Sequence, residues 1–429
     1  YARPYRVRLG VTRVGVIGGG VVGMICAIEL LRDGHAVTVI EPGTPGGEQA
    51  ASYGNGTLLN PSSVVPMSSP GLWRKVPGYL MDPLGPLTIR WSYLPHMLPW
   101  LRRFLMAGST AARVAATGRA LQPLLADAPA LHRKLAEEAG VGDLITRQGV
   151  LFAFPDRTAF EAEALSWSVR RDNGVKWLEL NEDELRQREP TLDRHYKFAV
   201  LIEENGQCRD PGAYVAALAS HAAALGAEFV RTGATGFRIG SGRLRAVTTR
   251  DGEVACDKAV IAAGAWSKML ARAAGDRVLL ETERGYHVVI ADPGIEPRYP
   301  MMPSDGKMAC VMTPAGLRLA GQVELAGLRA APDWRRAEVL LKFAREVYPD
   351  LPADLSMDRV KVWMGHRPST PDGLPVLGPA SDCADIVYAF GHGHVGLTAA
   401  AMTGKIVADV VSERPPPFDL TPYAATRFC

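Results

Sequence analysis

A chain of 429 residues is long enough for two substantial hydrophobic cores. Its composition, 47% apolar and 22% charged, is ordinary for a globular protein, and a formal charge of +3 over this length argues against a dedicated nucleic-acid binder. The six cysteines, at 26, 208, 256, 310, 383 and 429, contain no CxxC pair, so no metal site and no disulfide framework is indicated and a reducing, cytoplasmic compartment is expected.

Residues 1–13 carry Arg3, Arg6, Arg8 and Arg13 without a long apolar stretch, which reads as a basic arm rather than a secretion signal. No run reaches the roughly 18 uncharged apolar residues that a spanning helix needs. Residues 14–17 are a short apolar run, 22–33 follow a helical period, and Gly34-His35 turns the chain into the apolar run 36–40. That order predicts a parallel strand-helix-strand unit. Residues 48–86, rich in Gly, Ser and Pro, read as long loops. Residues 90–105 mix aromatic and basic groups and are predicted to dock on a second domain, with a bilayer surface as the alternative partner. Residues 117–139 are predicted as one helix packed on the surface of that second domain. Strand-like runs at 150–154, 198–202, 287–291 and 317–320 predict an antiparallel or mixed sheet apart from the first unit. Residues 211–225 and 227–230 add a helix and a strand to the first unit. A last helix covers 397–412, and Pro415-Pro416-Pro417 prevents further helix.

Gly18, Gly20 and Gly23 form GxGxxG between the first strand and its helix. Gly18 permits the tight turn, Gly20 lets backbone amides approach a pyrophosphate, and Gly23 lets the helix sit close to the strand. The helix start then offers unpaired N–H groups and a positive dipole end to phosphates. Glu41 ends the second strand 18 residues after Gly23, where its carboxylate accepts hydrogen bonds from ribose hydroxyls and repels a 2′-phosphate. The motif by itself does not separate FAD from NAD.

Later segments make that separation. Gln49-Ala50-Ala51-Ser52-Tyr53-Gly54-Asn55-Gly56, Val260-Ile261-Ala262-Ala263-Gly264-Ala265-Trp266-Ser267, Trp363-Met364-Gly365-His366-Arg367-Pro368 and Phe390-Gly391-His392-Gly393-His394-Val395-Gly396-Leu397-Thr398 follow the first turn in order. Together they resemble the D-amino-acid oxidase and dehydrogenase family, and within it most resemble bacterial D-amino-acid dehydrogenases, including those acting on hydroxylated D-proline. The resemblance implies an α/β fold: a Rossmann-like FAD-binding domain of the glutathione-reductase type, and a second α+β substrate domain on a mixed or antiparallel sheet. The boundaries expected are 11–92, 207–275 and 360–412 for the FAD domain, 93–206 and 276–359 for the substrate domain, and 413–429 as a tail. Non-covalent FAD is expected against Gly18, Gly20, Val21, Val22, Gly23 and Glu41, then Ala51, Ser52, Asn55, Gly56 and Thr57. Ala263, Gly264, Trp266 and Gly365 follow, and the run Gly391, His392, Gly393, His394, Val395, Gly396, Leu397 and Thr398 completes the set. In that last run, amides at a helix start face the charge that a reduced flavin accumulates, and three glycines allow close approach.

The resemblance also assigns Arg367 to the substrate carboxylate, for which a forked cation is suited; the alternative is an ion pair with Asp372. Glu283-Arg284-Gly285-Tyr286-His287 is expected to open a strand of the substrate domain on which Tyr286 and His287 are adjacent, so alternation puts one of them in the pocket, while Arg284 is expected to pair within the fold. His394 is a further candidate for substrate contact. Relatives place a tyrosine or arginine near the strand written here Cys310-Val311-Met312-Thr313-Pro314, and its absence means other groups complete the carboxylate site. Glu324 is expected at a solvent-facing strand end, unless it points inward to meet a substrate amine. The reaction implied is hydride transfer from a D-amino-acid Cα to flavin N5. The imine then hydrolyses to a 2-oxo acid and ammonia, or stays a cyclic imine for a proline-like substrate. No side-chain base is assigned. Electrons are expected to leave to a quinone or another carrier, with the protein in the cytoplasm or resting on the inner face of its membrane. The rival readings are oxidation of N-methyl amino acids, glycine or 2-hydroxy acids, an electron-passing subunit of a larger complex, and a dinucleotide-binding regulator.

Overall fold

The computed structural model describes residues 11–428 apart from 75, 82–84 and 86; the basic arm lies, up to residue 10, outside the described residues. The first sheet has six strands. Arg13–Ile17 lies between Ala36–Ile40 and Lys258–Ile261, with Glu228–Val230 and Ile386–Phe390 outside these, all parallel, and antiparallel Val376–Pro379 at one edge. Parallel strands covered on both faces need apolar side chains in both directions, and these strands have them. Val14, Val16, Val37 and Val39 pack under helices Val21–Arg32, Pro211–Ala224 and Gly396–Val411. Ile17, Ile40, Ala259 and Ile261 face the other way, against a three-stranded antiparallel sheet and helix Ser267–Ala273.

The second sheet has nine strands. Its centre is the run Val360–Ser369, Glu281–Ile290, Gly316–Leu325 and Met308–Thr313, each antiparallel to the next. Met301–Pro303, Val150–Phe154, Phe198–Ile202 and Leu178–Leu180 continue it. Helix Arg335–Val347 covers the back face, where Tyr286, Val288, Leu317 and Leu319 form a core with Leu340 and Ala344. The front face, carrying Glu283, Gly285 and His287, looks toward the first domain.

Four expectations change. The 117–139 stretch is two helices, Ala111–Leu125 and Ala128–Glu138, the second begun by Pro129 near its first turn. They cover the first domain, not the second: Leu135 and Ala136 join the core around helices Val21–Arg32 and Gly396–Val411. Val360–Ser369 belongs to the nine-stranded sheet, and so does the short strand Leu87–Ile89, so both boundaries of the expected FAD domain shift. The tail is docked, with Tyr423 buried and Arg427 paired to Asp372 at 2.8 Å. Helix Leu94–Ala107 packs Met97 and Trp100 against Ile89, Val323 and Leu325, and the Trp100 indole donates to the Ser369 carbonyl at 3.0 Å. Its outer side exposes Leu98 and Met106 beside Arg102 and Arg103. Among the described residues no helix is long and apolar enough to cross a membrane.

Candidate active site

A continuous cleft runs from the Glu41 end of the first sheet to the front face of the second. Its wall begins at the glycine turn. Gly18 has φ 114°, and a Cβ there would stand 2.4 Å from the Ala262 carbonyl oxygen; a Cβ on Gly23 would stand 1.9 Å from the Gly18 oxygen. These two glycines are fixed by backbone packing. Gly20 differs: the nearest protein atom to its Cβ position is Ser52 Oγ at 3.4 Å, and the rest of that space belongs to the cleft. Helix Val21–Arg32 has no side-chain cap, and of its first-turn amides Val21 N donates to Ser52 Oγ at 3.1 Å. Glu41 accepts from Gly19 N at 2.7 Å and Gly43 N at 2.8 Å, which orients its carboxylate at the cleft edge. Gly19 is absent from the contacts expected from sequence. A Cβ there would lie 2.7 Å from Glu41 Cγ, a crowding that only the folded turn reveals.

Ala51, Ser52 and Asn55 line the cleft, as do Ala263, Gly264 and Trp266. Gly56 and Thr57 do not. Thr57 is buried at φ 66°, held by the Asn55 side chain, which accepts its amide at 2.9 Å, so these two residues shape the loop from behind. At the closing turn, His392, Gly393, His394, Gly396 and Leu397 line the cleft, and helix Gly396–Val411 again starts without a side-chain cap. Gly391, Val395 and Thr398 stand behind them: Gly391 has φ 83°, Val395 is buried, and the Thr398 hydroxyl accepts from Asn60 N. Two uncapped helix starts thus face one cavity, an arrangement suited to a molecule with two separated anionic regions.

The substrate-domain wall is built on facing glycines. Gly285 and Gly365 are cross-strand partners. A Cβ on Gly285 would lie 2.2 Å from the Arg367 guanidinium, and one on Gly365 would lie 1.9 Å from the Trp363 ring. Arg367 and Trp363 lie down into the space these glycines leave. Arg367 lines the cleft and donates from Nη1 to the Gln322 carbonyl at 3.1 Å; Asp372, its alternative partner, is taken by Arg427. Burial pulls the Arg367 guanidinium below its usual range, against the opposing pull of Glu283. Trp363 donates to the Glu48 carbonyl at 2.9 Å and stacks on His287 with ring centroids 5.1 Å apart.

Neither Tyr286 nor His287 lines the cleft. Tyr286 faces the back core, its hydroxyl donating to Glu324 at 2.6 Å. His287 is on the front face but covered by Trp363 and the Gly54 carbonyl, and burial, aided by Arg318, pushes its imidazole down to about 3. It is uncharged and structural. Glu324 is neither solvent-facing nor in the cleft: it is buried behind the sheet, 2.6 Å from Arg90 and 3.1 Å from Arg284. The group sequence reasoning missed is Glu283. It is buried on the front face, opposite Arg367 in the strand register, and its Oε2 lies 2.5 Å from His394 Nε2. The signal was present: Glu283 and Gly285 share a face by alternation, and Gly285 marks a close approach. Among the described residues no group of three or more His, Cys, Asp or Glu side chains is placed to hold a metal.

Comparison with known proteins agrees with this geometry. The family model described as FAD dependent oxidoreductase matches residues 13–410. A D-amino-acid oxidase of Bradyrhizobium diazoefficiens is 59% identical, over 97% of this chain and 98% of that protein. A D-amino acid dehydrogenase of Paramagnetospirillum magneticum is 30% identical, over 97% and 99%. The solved glycine oxidase of Geobacillus kaustophilus superposes with a TM-score of 0.71 at 25% identity, covering 97% of this chain and 99% of that one. The chain belongs to the FAD-dependent oxidoreductase family.

Proposed function

We propose that this chain oxidises a D-amino acid at the Cα–N bond. The observation that carries the reading is the placement of Arg367, a half-buried guanidinium in the cleft wall opposite Glu283, with the His394 turn beside them. That is a site for a carboxylate and an amine on one carbon. The named activities of the two relatives support the same substrate class. A ring substrate, D-proline or its hydroxylated form, is the finer proposal and rests on resemblance alone. Anaerobic mixing tests the reading: a D-amino acid should bleach the oxidised flavin band, while sarcosine, glycine and 2-hydroxy acids should not. Bleaching by a hydroxy acid alone would replace the proposal with its first rival.

FAD, when bound, supplies the acceptor for the Cα hydride. The residues that fit it are the Gly18–Val21 turn for the pyrophosphate, Glu41 for the ribose, and the Gly393–Leu397 turn for the flavin end. For Glu41→Ala, we expect FAD to dissociate about 10- to 100-fold more readily, the effect of losing one hydrogen bond to a charged acceptor. Flavin released on dilution, measured by fluorescence, checks it; unchanged retention removes Glu41 from the site.

The oxidase relative favours dioxygen as electron acceptor over the quinone or other carrier expected from sequence. Oxygen uptake compared with anaerobic reduction of a soluble quinone decides between them. Peripheral membrane contact is a separate proposal, carried by the exposed Leu98 and Met106 beside Arg102 and Arg103. Co-sedimentation with phosphatidylglycerol vesicles, lost in a Leu98→Ser, Met106→Ser variant, would support it.

A further inference from the structure

We propose that His394 accepts the ammonium proton of the bound amino acid on Nδ1, and that Glu283 is the positioning residue that holds the imidazole for this step. The inference rests on the amine-oxidising reading and adds to it the proton acceptor that the reading leaves unassigned. The two residues come from different domains, His394 from the closing turn Gly393–Val395 and Glu283 from strand Glu281–Ile290. They meet at 2.5 Å, Nε2 to Oε2, with the His394 side chain 34% exposed and Glu283 7%. A neutral histidine that donates from Nε2 to a carboxylate carries its lone pair on Nδ1. The tautomer is therefore set by Glu283.

Charge balance gives the pair a reason to act. An amino acid arrives as a zwitterion, and its carboxylate is matched by Arg367. Its ammonium would lie near a Glu283 that is already paired with His394. In the proposed step one N–H bond of the ammonium breaks, the proton bonds to Nδ1, and the electron pair stays on the amine nitrogen. The net charge of the site is unchanged. The positive charge, however, moves onto an imidazolium already hydrogen-bonded to a carboxylate, and the amine becomes the neutral form that oxidation requires.

Glu283 is ionised for this role. Burial pushes its carboxyl up, but His394, Arg367 and Ser369 together outweigh burial and hold it below the usual carboxylate range. The other histidines lining the cleft are already engaged. His366 Nδ1 meets the Thr282 hydroxyl at 2.8 Å and His392 Nε2 meets Thr403 at 3.0 Å, and burial pushes both down to about 4. Glu281, on the same strand, is held by Lys268 and the Tyr93 hydroxyl.

The test is the pH profile of kcat/KM in wild type, Glu283→Gln and His394→Asn, with flavin content and melting temperature measured on each. In wild type, kcat/KM should rise with pH through one acidic limb. In Glu283→Gln the imidazole loses the carboxylate that holds it, so the limb should differ from wild type and the plateau should fall about tenfold or more. In His394→Asn the limb should vanish, leaving only the ionisation of the substrate amine. Folded, flavin-loaded variants whose acidic limb matches wild type overturn the proposal. Wild-type enzyme that reduces its flavin with no amino acid overturns the underlying activity instead, so the two failures are distinct.

Discussion

Arg367→Ala should lower kcat/KM for the amino acid by about 150- to 1000-fold while flavin content stays at the wild-type level. Two charge-assisted hydrogen bonds to a buried carboxylate are lost, together worth roughly 3 to 4 kcal/mol. The local structure tolerates the truncation: the guanidinium lies in a gap left by Gly285, and its protein acceptor is a backbone carbonyl. No buried carboxylate loses a direct ion pair, because Glu283 keeps His394. The deficit should appear in substrate affinity and not in thermal stability. Arg367→Lys should recover only part of it, since an ammonium keeps the charge but not the fork. Steady-state kinetics with flavin absorbance decides the matter, and an alanine variant with normal kcat/KM would remove Arg367 from the carboxylate site.

Gly23→Ala and Gly20→Ala should separate packing from cofactor contact within one motif. At Gly23 an added Cβ lies 1.9 Å from the Gly18 carbonyl oxygen, a backbone atom that moves only if the turn opens. The apoprotein itself should lose roughly 1 to 3 kcal/mol, with flavin lost as well. At Gly20 the added methyl meets little protein, so the apoprotein should melt near wild type while FAD binding fails, because the methyl fills the space a pyrophosphate needs. Melting curves of apo and flavin-loaded forms check both. Equal destabilisation of the two apoproteins would contradict the assignment of Gly20 to the cofactor.

The first domain was legible because its strands and helices have the plain periods of elements buried on both sides. The parallel unit at residues 13–40 and the helices at Pro211–Ala224 and Gly396–Val411 fall within one or two residues of expectation. Strand Glu281–Ile290 was recognised from Glu283 onward, but the Glu, Arg and Gly at its start do not show which of them faces the cleft until their ion pairs are known. That is also why Glu283 was given no role while Tyr286 and His287, the conspicuous side chains, drew attention. The helices at 111–138 were misplaced because an apolar stripe reports that a helix packs, without reporting on what. Thr57, Val395 and Thr398 lie inside motifs whose neighbours line the cleft. Sequence proximity does not distinguish a wall residue from the one behind it.

One irregular residue decides the chemistry on both sides of the larger sheet. Between the pairs Tyr286–Gly321 and Arg284–Glu324, the Gly316–Leu325 strand holds one residue more than its partner, and Gln322 takes up the excess at φ 63°. Alternation counted from Gly321 would aim Glu324 at the bound amino acid; the extra residue rotates it to the far side, onto Arg90 and Arg284. A chain one residue shorter there would carry two acids in a chamber whose arginine counterbalances one, and would favour guests bearing an additional cation. Selectivity for charge in this scaffold is therefore adjustable by length as well as by side-chain identity.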